Sequence, residues 1–194
     1  MHPVDLAERL VRQVDFLQWE GPAGPQVPNH LAVLLHPSDL DPGLPATVLT
    51  RELALAVATT AAERGWRLGG PVVVGIDTDP SVPRGIVDVH GDTRPGRLEP
   101  WGQLISLHGD RFLPLADNRI RIGRALDNDA IISVPEVSRH HALVVRDGEG
   151  VHLRDLESSN GTFHNGTPLT PGPARLAPGD EVAFGDRAFS FRML

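Results

Sequence analysis

The chain has 194 residues, with 18 basic residues against 25 acidic ones and a net charge of −7 at pH 7. All the basic residues are arginine, and cysteine and tyrosine are absent. Such acidity disfavours bulk nucleic-acid binding, which needs a basic footprint; the missing cysteines exclude disulfides, and the length allows one large domain or two small ones.

Most of the charge imbalance lies in the first half: residues 1–102 hold 8 of the 18 arginines and 13 of the 25 acids, leaving 10 and 12 for residues 103–194. The chain opens with a helical pattern over 4–17, in which Val4, Leu6, Leu10, Val11, Val14 and Leu17 form an apolar stripe. Gly21-Pro22-Ala23-Gly24-Pro25 stops it. A strand is expected over 27–35, a turn over 38–42, and a second helix, rich in Ala and Leu, over 47–64, closed by Gly65. Residues 70–76 and 84–90 read as two more strands. The order α-β-α-β-β predicts a small α+β domain over 1–90, with helices on one face of a sheet. Residues 91–101 form a Pro-containing linker too short for a flexible tether, so the two domains are expected to lie close together. The most apolar long segment, 53–62, contains two threonines and is too short to span a bilayer. The first residues lack the basic and apolar regions of a signal peptide. The expectation is a cytoplasmic protein with no membrane insertion.

From 102 to 194 the pattern is strands split by turns. Strands are expected at 104–107, 112–115, 119–122, 131–132, 142–145, 151–153, 175–177, 181–184 and 188–191. Turns fall at 108–111, 117–118, 178–180 and 185–187, and Asp147-Gly148-Glu149-Gly150 is a hairpin signal. No helical period follows Trp101, which means an all-β sandwich or barrel.

Three turn-like clusters stand between these runs: Gly123-Arg124, Ser138-Arg139-His140-His141 and Ser158-Ser159-Asn160-Gly161-Thr162. Loops carried on a rigid sheet are where binding residues concentrate. What they offer is uniform: guanidinium forks, hydroxyls and an amide, a donor set suited to a phosphate-like dianion. No nucleophile is spaced with a base, no GxxxxGK[ST] or GxGxxG nucleotide loop occurs, and no cluster has metal-ligand spacing. Adjacent His140 and His141 on a strand point to opposite faces and cannot chelate one ion. No catalytic residue, metal or cofactor is expected, and the ligand class is a phosphorylated side chain rather than a nucleotide.

Taken together with Asn165-Gly166 and the later Gly179-Asp180, these clusters resemble, in order and spacing, the forkhead-associated (FHA) domain, a reader of phosphothreonine peptides. The resemblance covers 102–194 and implies a β-sandwich of about eleven strands with its ligand across the loops at one end. It implies that Arg124, Ser138, Arg139, Ser159 and Asn160 contact the phosphopeptide. Arg124 and Ser138 would hold the phosphate, Arg139 would brace its loop while its backbone N–H faces the ligand, and Asn160 would bond the peptide backbone. Gly123, His141, Gly161 and Asn165 would be supports, His141 as an internal hydrogen-bonding prop. Glu136, two residues before Ser138, is the specificity candidate, its charge disfavouring acidic residues three places beyond the phosphothreonine. The chain departs from the family pattern at Ser159, usually threonine, and at Glu157, more often glycine.

The first half has a resemblance of its own. Pro3-Val4-Asp5-Leu6-Ala7, Val27-Pro28-Asn29, Pro37-Ser38-Asp39, and Gly70-Pro71-Val72 leading to Asp79-Pro80 resemble the amino-terminal domain of certain bacterial FHA proteins that work with Ser/Thr kinases in cell-wall synthesis. The implied function is a phosphothreonine-peptide-binding adaptor in bacterial Ser/Thr kinase signalling, tied to cell-envelope synthesis. Its partners would be a phosphothreonine-containing protein and a Ser/Thr protein kinase. The alternative is a phosphate-independent FHA scaffold for protein–protein assembly. Thr93, expected to be exposed, is a candidate internal phosphothreonine.

Overall fold

Leu6, Leu10 and Val14 recur every four residues, and the helix they predict, α1 (Pro3–Phe16), buries all three. The computed structural model of the protein describes residues 1–108, 111–169 and 172–194. It divides into two units, Met1–Arg97 and Leu98–Leu194, each with its own core.

In the first unit α1 is followed by β1 (Trp19–Gly21), β2 (Gly24–Gln26), β3 (His30–Leu35), α2 (Ala46–Arg64), β4 (Val73–Thr78) and β5 (Val87–Asp92). β3 is the centre of a three-stranded sheet, with β4 parallel to it and β5 antiparallel. Parallel neighbours need a crossover, which α2 supplies before ending on Gly65 at φ 63°. Alternate strand residues Leu31, Val33, Leu35, Val74, Val87 and Val89 are buried with the helix residues Leu10, Val14, Leu49, Leu53 and Val57. The start of the sheet is pinned by Asn29, fully buried. Its Nδ2 donates to Pro71 O (3.0 Å) and Arg94 O (2.9 Å), and its Oδ1 accepts from Arg94 N (2.9 Å).

The β1–β2 hairpin lies where the sequence suggested only a helix stop; three-residue strands are too short to display an alternation. The expected linker, 91–101, divides between the units. β5 runs to Asp92, Gly96 N donates to Gly69 O (3.1 Å), and Trp101 N donates to Leu115 O (2.9 Å). Thr93 is half-buried rather than exposed.

The second unit is all β: β6 (Gly102–Ser106), β7 (Phe112–Leu115), β8 (Arg119–Gly123), β9 (Ala130–Ile131), β10 (Ala142–Asp147), β11 (Gly150–Asp155), β12 (Thr162–His164), β13 (Thr167–Pro168), β14 (Ala174–Leu176), β15 (Glu181–Phe184) and β16 (Arg187–Met193). They form one sheet in the order β14-β11-β10-β8-β9 and another in the order β13-β12-β15-β16-β6-β7. Leu104, Leu115, Ile120, Ile122, Leu153, Phe184 and Phe191 fill the space between, all at most 2% exposed. Asp147 pairs with Gly150, as its hairpin signal predicts. The β12–β13 hairpin was not expected as strands; it turns on Asn165 (φ 48°) and Gly166 (φ 77°), a two-residue turn with both residues left-handed. The turn expected at 108–111 lies partly outside the described residues.

Candidate functional site

Four connections meet at one end of the sandwich: 124–129 after β8, 132–141 after β9, 156–161 after β11, and the turn 185–186 between β15 and β16. Backbone bonds tie them together. Arg124 N donates to Ser138 O (3.0 Å), Ala125 N to Arg139 O (3.2 Å), and Gly185 N to Gly161 O (2.9 Å). The approach of the first two loops explains Gly123, because a Cβ there would stand 2.3 Å from Arg139 O. No side chain fits that gap.

Three buried or half-buried polar side chains complete the frame. Asn128, 7% exposed, donates Nδ2 to Ala125 O (2.9 Å) and Arg139 O (2.6 Å), with its Oδ1 3.1 Å from His140 Nδ1. His141 is fully buried, its ring edge-on to Phe184. Its Nδ1 accepts from Ser138 N (3.0 Å), so the ring proton lies on Nε2, which donates to Gly161 O (3.1 Å). Burial lowers its pKa below the usual histidine value, against the opposing effects of the Gly161 carbonyl and Asp155, and keeps it neutral. Asp155 accepts from Ser158 N (3.0 Å), Ser158 Oγ (2.6 Å) and Thr162 Oγ1. Burial raises its pKa, but those hydrogen bonds outweigh it and hold the carboxyl below its ordinary value. His140 and His141 sit in the loop ahead of β10 rather than on a strand, one exposed and one buried. Among the described residues no group of three His, Cys, Asp or Glu is placed to hold a metal.

The predicted ligand-facing residues occupy the rim of this frame. Arg124 and Arg139 are exposed, and among the described residues neither guanidinium makes a hydrogen bond or ion pair. Ser138 Oγ accepts from Ser159 N (3.0 Å), and its own proton faces Ser159 Oγ only at 3.5 Å, a weak contact that a stronger acceptor displaces. Asn160 is exposed and spends Nδ2 on Glu136 O (2.8 Å), leaving its amide oxygen. Glu136 is not a lone carboxylate: Arg187 Nη2 stands 3.7 Å from it, with Asp186 3.1 Å from Arg187 Nε. Glu157 is exposed, and among the described residues it makes no ion pair with either rim arginine. Its φ of 57° is left-handed backbone, which glycine adopts more readily than a residue with a Cβ.

Asn165 and Asp180 form a separate node. Asp180 takes hydrogen bonds from Ala177 N (2.8 Å) and Asn165 Nδ2 (3.0 Å), with His164 Nε2 2.8 Å away, and these hold its pKa at about 2. The node joins the β12–β13 hairpin to the turn before β15. Sequence reasoning missed Asn128 and Arg187. Asp127-Asn128-Asp129 reads as an ordinary polar turn, and Arg187 reaches Glu136 only through the fold.

Residues 120–185 match the family model "FHA domain", and residues 1–90 match "FhaA, N-terminal domain". The chain belongs to the FHA-domain family. The FHA domain is a phosphopeptide-binding module, non-enzymatic in general. Over 96 residues, half of the chain, it is 40% identical to the ABC transporter ATP-binding/permease protein Rv1747 of Mycobacterium tuberculosis, of which this covers 11%. Over 83 residues, 43% of the chain, it is 37% identical to the transcriptional regulatory protein EmbR of the same organism, covering 21% of that protein. A solved structure of the FhaA FHA domain complexed with the intracellular domain of Rv3910 is 30% identical, covers 47% of this chain and 99% of that one, and superposes with a TM-score of 0.43. The chain thus spans about a tenth to a fifth of these two curated relatives' length. No described helix is long and apolar enough to cross a membrane.

Proposed function

We propose that the protein is a phosphothreonine-peptide-binding adaptor in Ser/Thr kinase signalling, acting in the synthesis of the cell envelope. The observation that carries this reading is the pair of uncommitted guanidinium groups, Arg124 and Arg139, on loops locked together by backbone bonds beside the Ser138 hydroxyl. Phosphothreonine brings nearly two negative charges and three acceptor oxygens. Arg124 and the Ser138 hydroxyl bind the phosphate, Ser159 and the Arg139 backbone N–H add donors, and the Asn160 amide orients the peptide. The match of residues 1–90 to the FhaA amino-terminal domain supports the envelope link. Selectivity beyond the phosphothreonine falls to Glu136 acting as a pair with Arg187.

Three or four charge-assisted hydrogen bonds at roughly 1.5–3 kcal/mol each, less the ordering of a flexible peptide, leave about −7 to −8 kcal/mol, or roughly micromolar affinity. Calorimetry on the full chain tests this with a phosphothreonine-peptide library and its unphosphorylated counterparts. Arg124→Ala is expected to cost about 2 kcal/mol, roughly thirtyfold. Wild-type affinity in that variant refutes the assignment, and equal affinity for phosphorylated and plain peptides replaces it with a phosphate-independent scaffold.

A further inference from the structure

The sheet of the first unit has two outer edges, and they differ in kind. β5 exposes a charged or titratable side chain at every second position, Asp88, His90 and Asp92, the pattern that discourages edge pairing. β4 carries one charge, Asp77, no proline or arginine within the strand, and a valine, Val73, that is 48% exposed. Val73 N donates to Asn29 O (2.7 Å) and Asp79 N to Leu35 O (2.9 Å). Odd-numbered residues of β4 therefore spend their backbone groups on β3, and Val74, Ile76 and Thr78 turn theirs outward, where no described strand pairs with them.

Gly75 stands at the middle of this edge strand without an internal reason for being glycine. Its φ lies outside the left-handed region, and an added Cβ would meet a single atom, Leu31 O, at 3.9 Å. Gly91 on β5 is the contrast: a Cβ there would lie 2.4 Å from Pro28. A strand glycine with free space on its own chain marks a place where another backbone comes close. α2, which packs over β4, exposes Val48 (43%) and Leu55 (66%), as α1 exposes Val4 (57%) and Phe16 (82%).

We propose that the first unit is a dimerisation module, in which two copies of the chain pair antiparallel through the outer edge of β4 with Gly75 opposite Gly75. That register makes the strand its own complement. Val74 and Ile76 face each other as hydrogen-bonded pairs, and Asp77 lies opposite Val73, so no like charges meet. Such self-complementarity is what a two-fold interface requires. The α2 charges Arg51, Glu52, Glu63 and Arg64 cancel, so two α2 helices meeting on this side add no net repulsion. The pair presents two FHA domains at once and gains avidity for doubly phosphorylated or dimeric targets.

The chain has no cysteine, which makes cross-linking clean. At a non-hydrogen-bonded antiparallel pair the Cα atoms stand about 4.5 Å apart, within disulfide range. Gly75→Cys in the full chain is expected to form a disulfide-linked dimer under mild oxidation at least about tenfold faster than Gly166→Cys, whose site on the second unit is open. Mixed Val73→Cys and Asp77→Cys chains are expected to cross-link to each other faster than either does to itself. Sedimentation should show a dimer at about 100 µM that Gly75→Arg weakens tenfold or more, by setting like charges opposite one another, with an unchanged unfolding curve. A monomer throughout, a dimer indifferent to Gly75→Arg, or self-linking that outpaces the Val73–Asp77 mixture overturns the proposal. A partner protein's strand on this edge would give the first of these results.

Discussion

Asn128→Ala is the sharpest probe of how the loops are held. The side chain makes two donations, to Ala125 O and Arg139 O, and one contact to His140. Both carbonyls also receive a backbone N–H, Ala125 O from Asn128 N (3.3 Å) and Arg139 O from Ala125 N (3.2 Å), so truncation orphans neither. The cost is then two ordinary hydrogen bonds at roughly 1 kcal/mol each, about 2 kcal/mol, rather than the larger penalty of stranded polar groups. For a unit of this size that lowers the melting temperature by roughly 8–16 °C. Asn128→Asp keeps the shape but replaces the doubly donating Nδ2 by a carboxylate oxygen facing two carbonyls, and should cost more than alanine, about 3 kcal/mol. Because the same side chain joins the Arg124 and Arg139 loops, phosphopeptide affinity should fall about fivefold, from roughly 1 kcal/mol of loop ordering restored to the binding step. Thermal unfolding and calorimetry of both variants check this. An alanine variant melting within 3 °C of the parent, or an aspartate variant more stable than the alanine one, refutes the staple.

Three other outcomes are expected. Glu157→Gly should stabilise the second unit by about 0.5–1 kcal/mol in urea, because glycine relieves the left-handed backbone, and should tighten phosphopeptide binding by removing a carboxylate from the rim; a loss of stability would contradict the strain argument. Asp180, with a pKa of about 2, contributes stability that is fully present above the unfolded value near 4 and is lost as pH falls towards 2. Asp180→Asn should remove that acid dependence, on the order of 1–2 kcal/mol, in unfolding titrations from pH 5 to 2. His141 has a folded pKa below the unfolded value near 6.5, so the loops keep full stability above about pH 6.5 and lose it as pH falls towards the lowered folded value. Phosphopeptide affinity should also weaken below about pH 6 as the ester gains a proton. His141→Asn should retain the second effect and lose the first, and a flat binding profile from pH 7.5 to 5.5 would sink the phosphate reading.

Long elements were legible where pattern and punctuation agreed. β10 and β11 declared themselves through the short apolar runs on either side of Asp147-Gly148-Glu149-Gly150, and α2 through its composition and Gly65. The short strands β1, β2, β12 and β13 were not, since two or three residues cannot show a period. Of the loops, Gly123-Arg124 was readable as a motif, but its cause, the Arg139 carbonyl pressed against Gly123, is a tertiary contact. Asn128 escaped notice because its partners are main-chain carbonyls, which carry no sequence signature. Arg187 did so because it meets Glu136 across two loops far apart in the chain. The charge attributed to Glu136 alone therefore belongs to a pair.

The frame and the rim divide the work, and affinity depends on that division. Fixing one residue's backbone costs roughly 1–2 kcal/mol, so ordering some ten loop residues at the moment of binding would cost as much as three or four charge-assisted bonds return. Asn128, His141 and Asp155 meet that cost during folding, Asn128 and His141 with bonds to main-chain groups of neighbouring loops and Asp155 with bonds inside the loop that follows it. The groups left unspent are those on the rim: two arginine forks and a serine hydroxyl already polarised by a backbone N–H. A ligand that supplies only charge meets a site already in place. On the proposed phosphopeptide reading, the interior residues thereby set the affinity of contacts they never make.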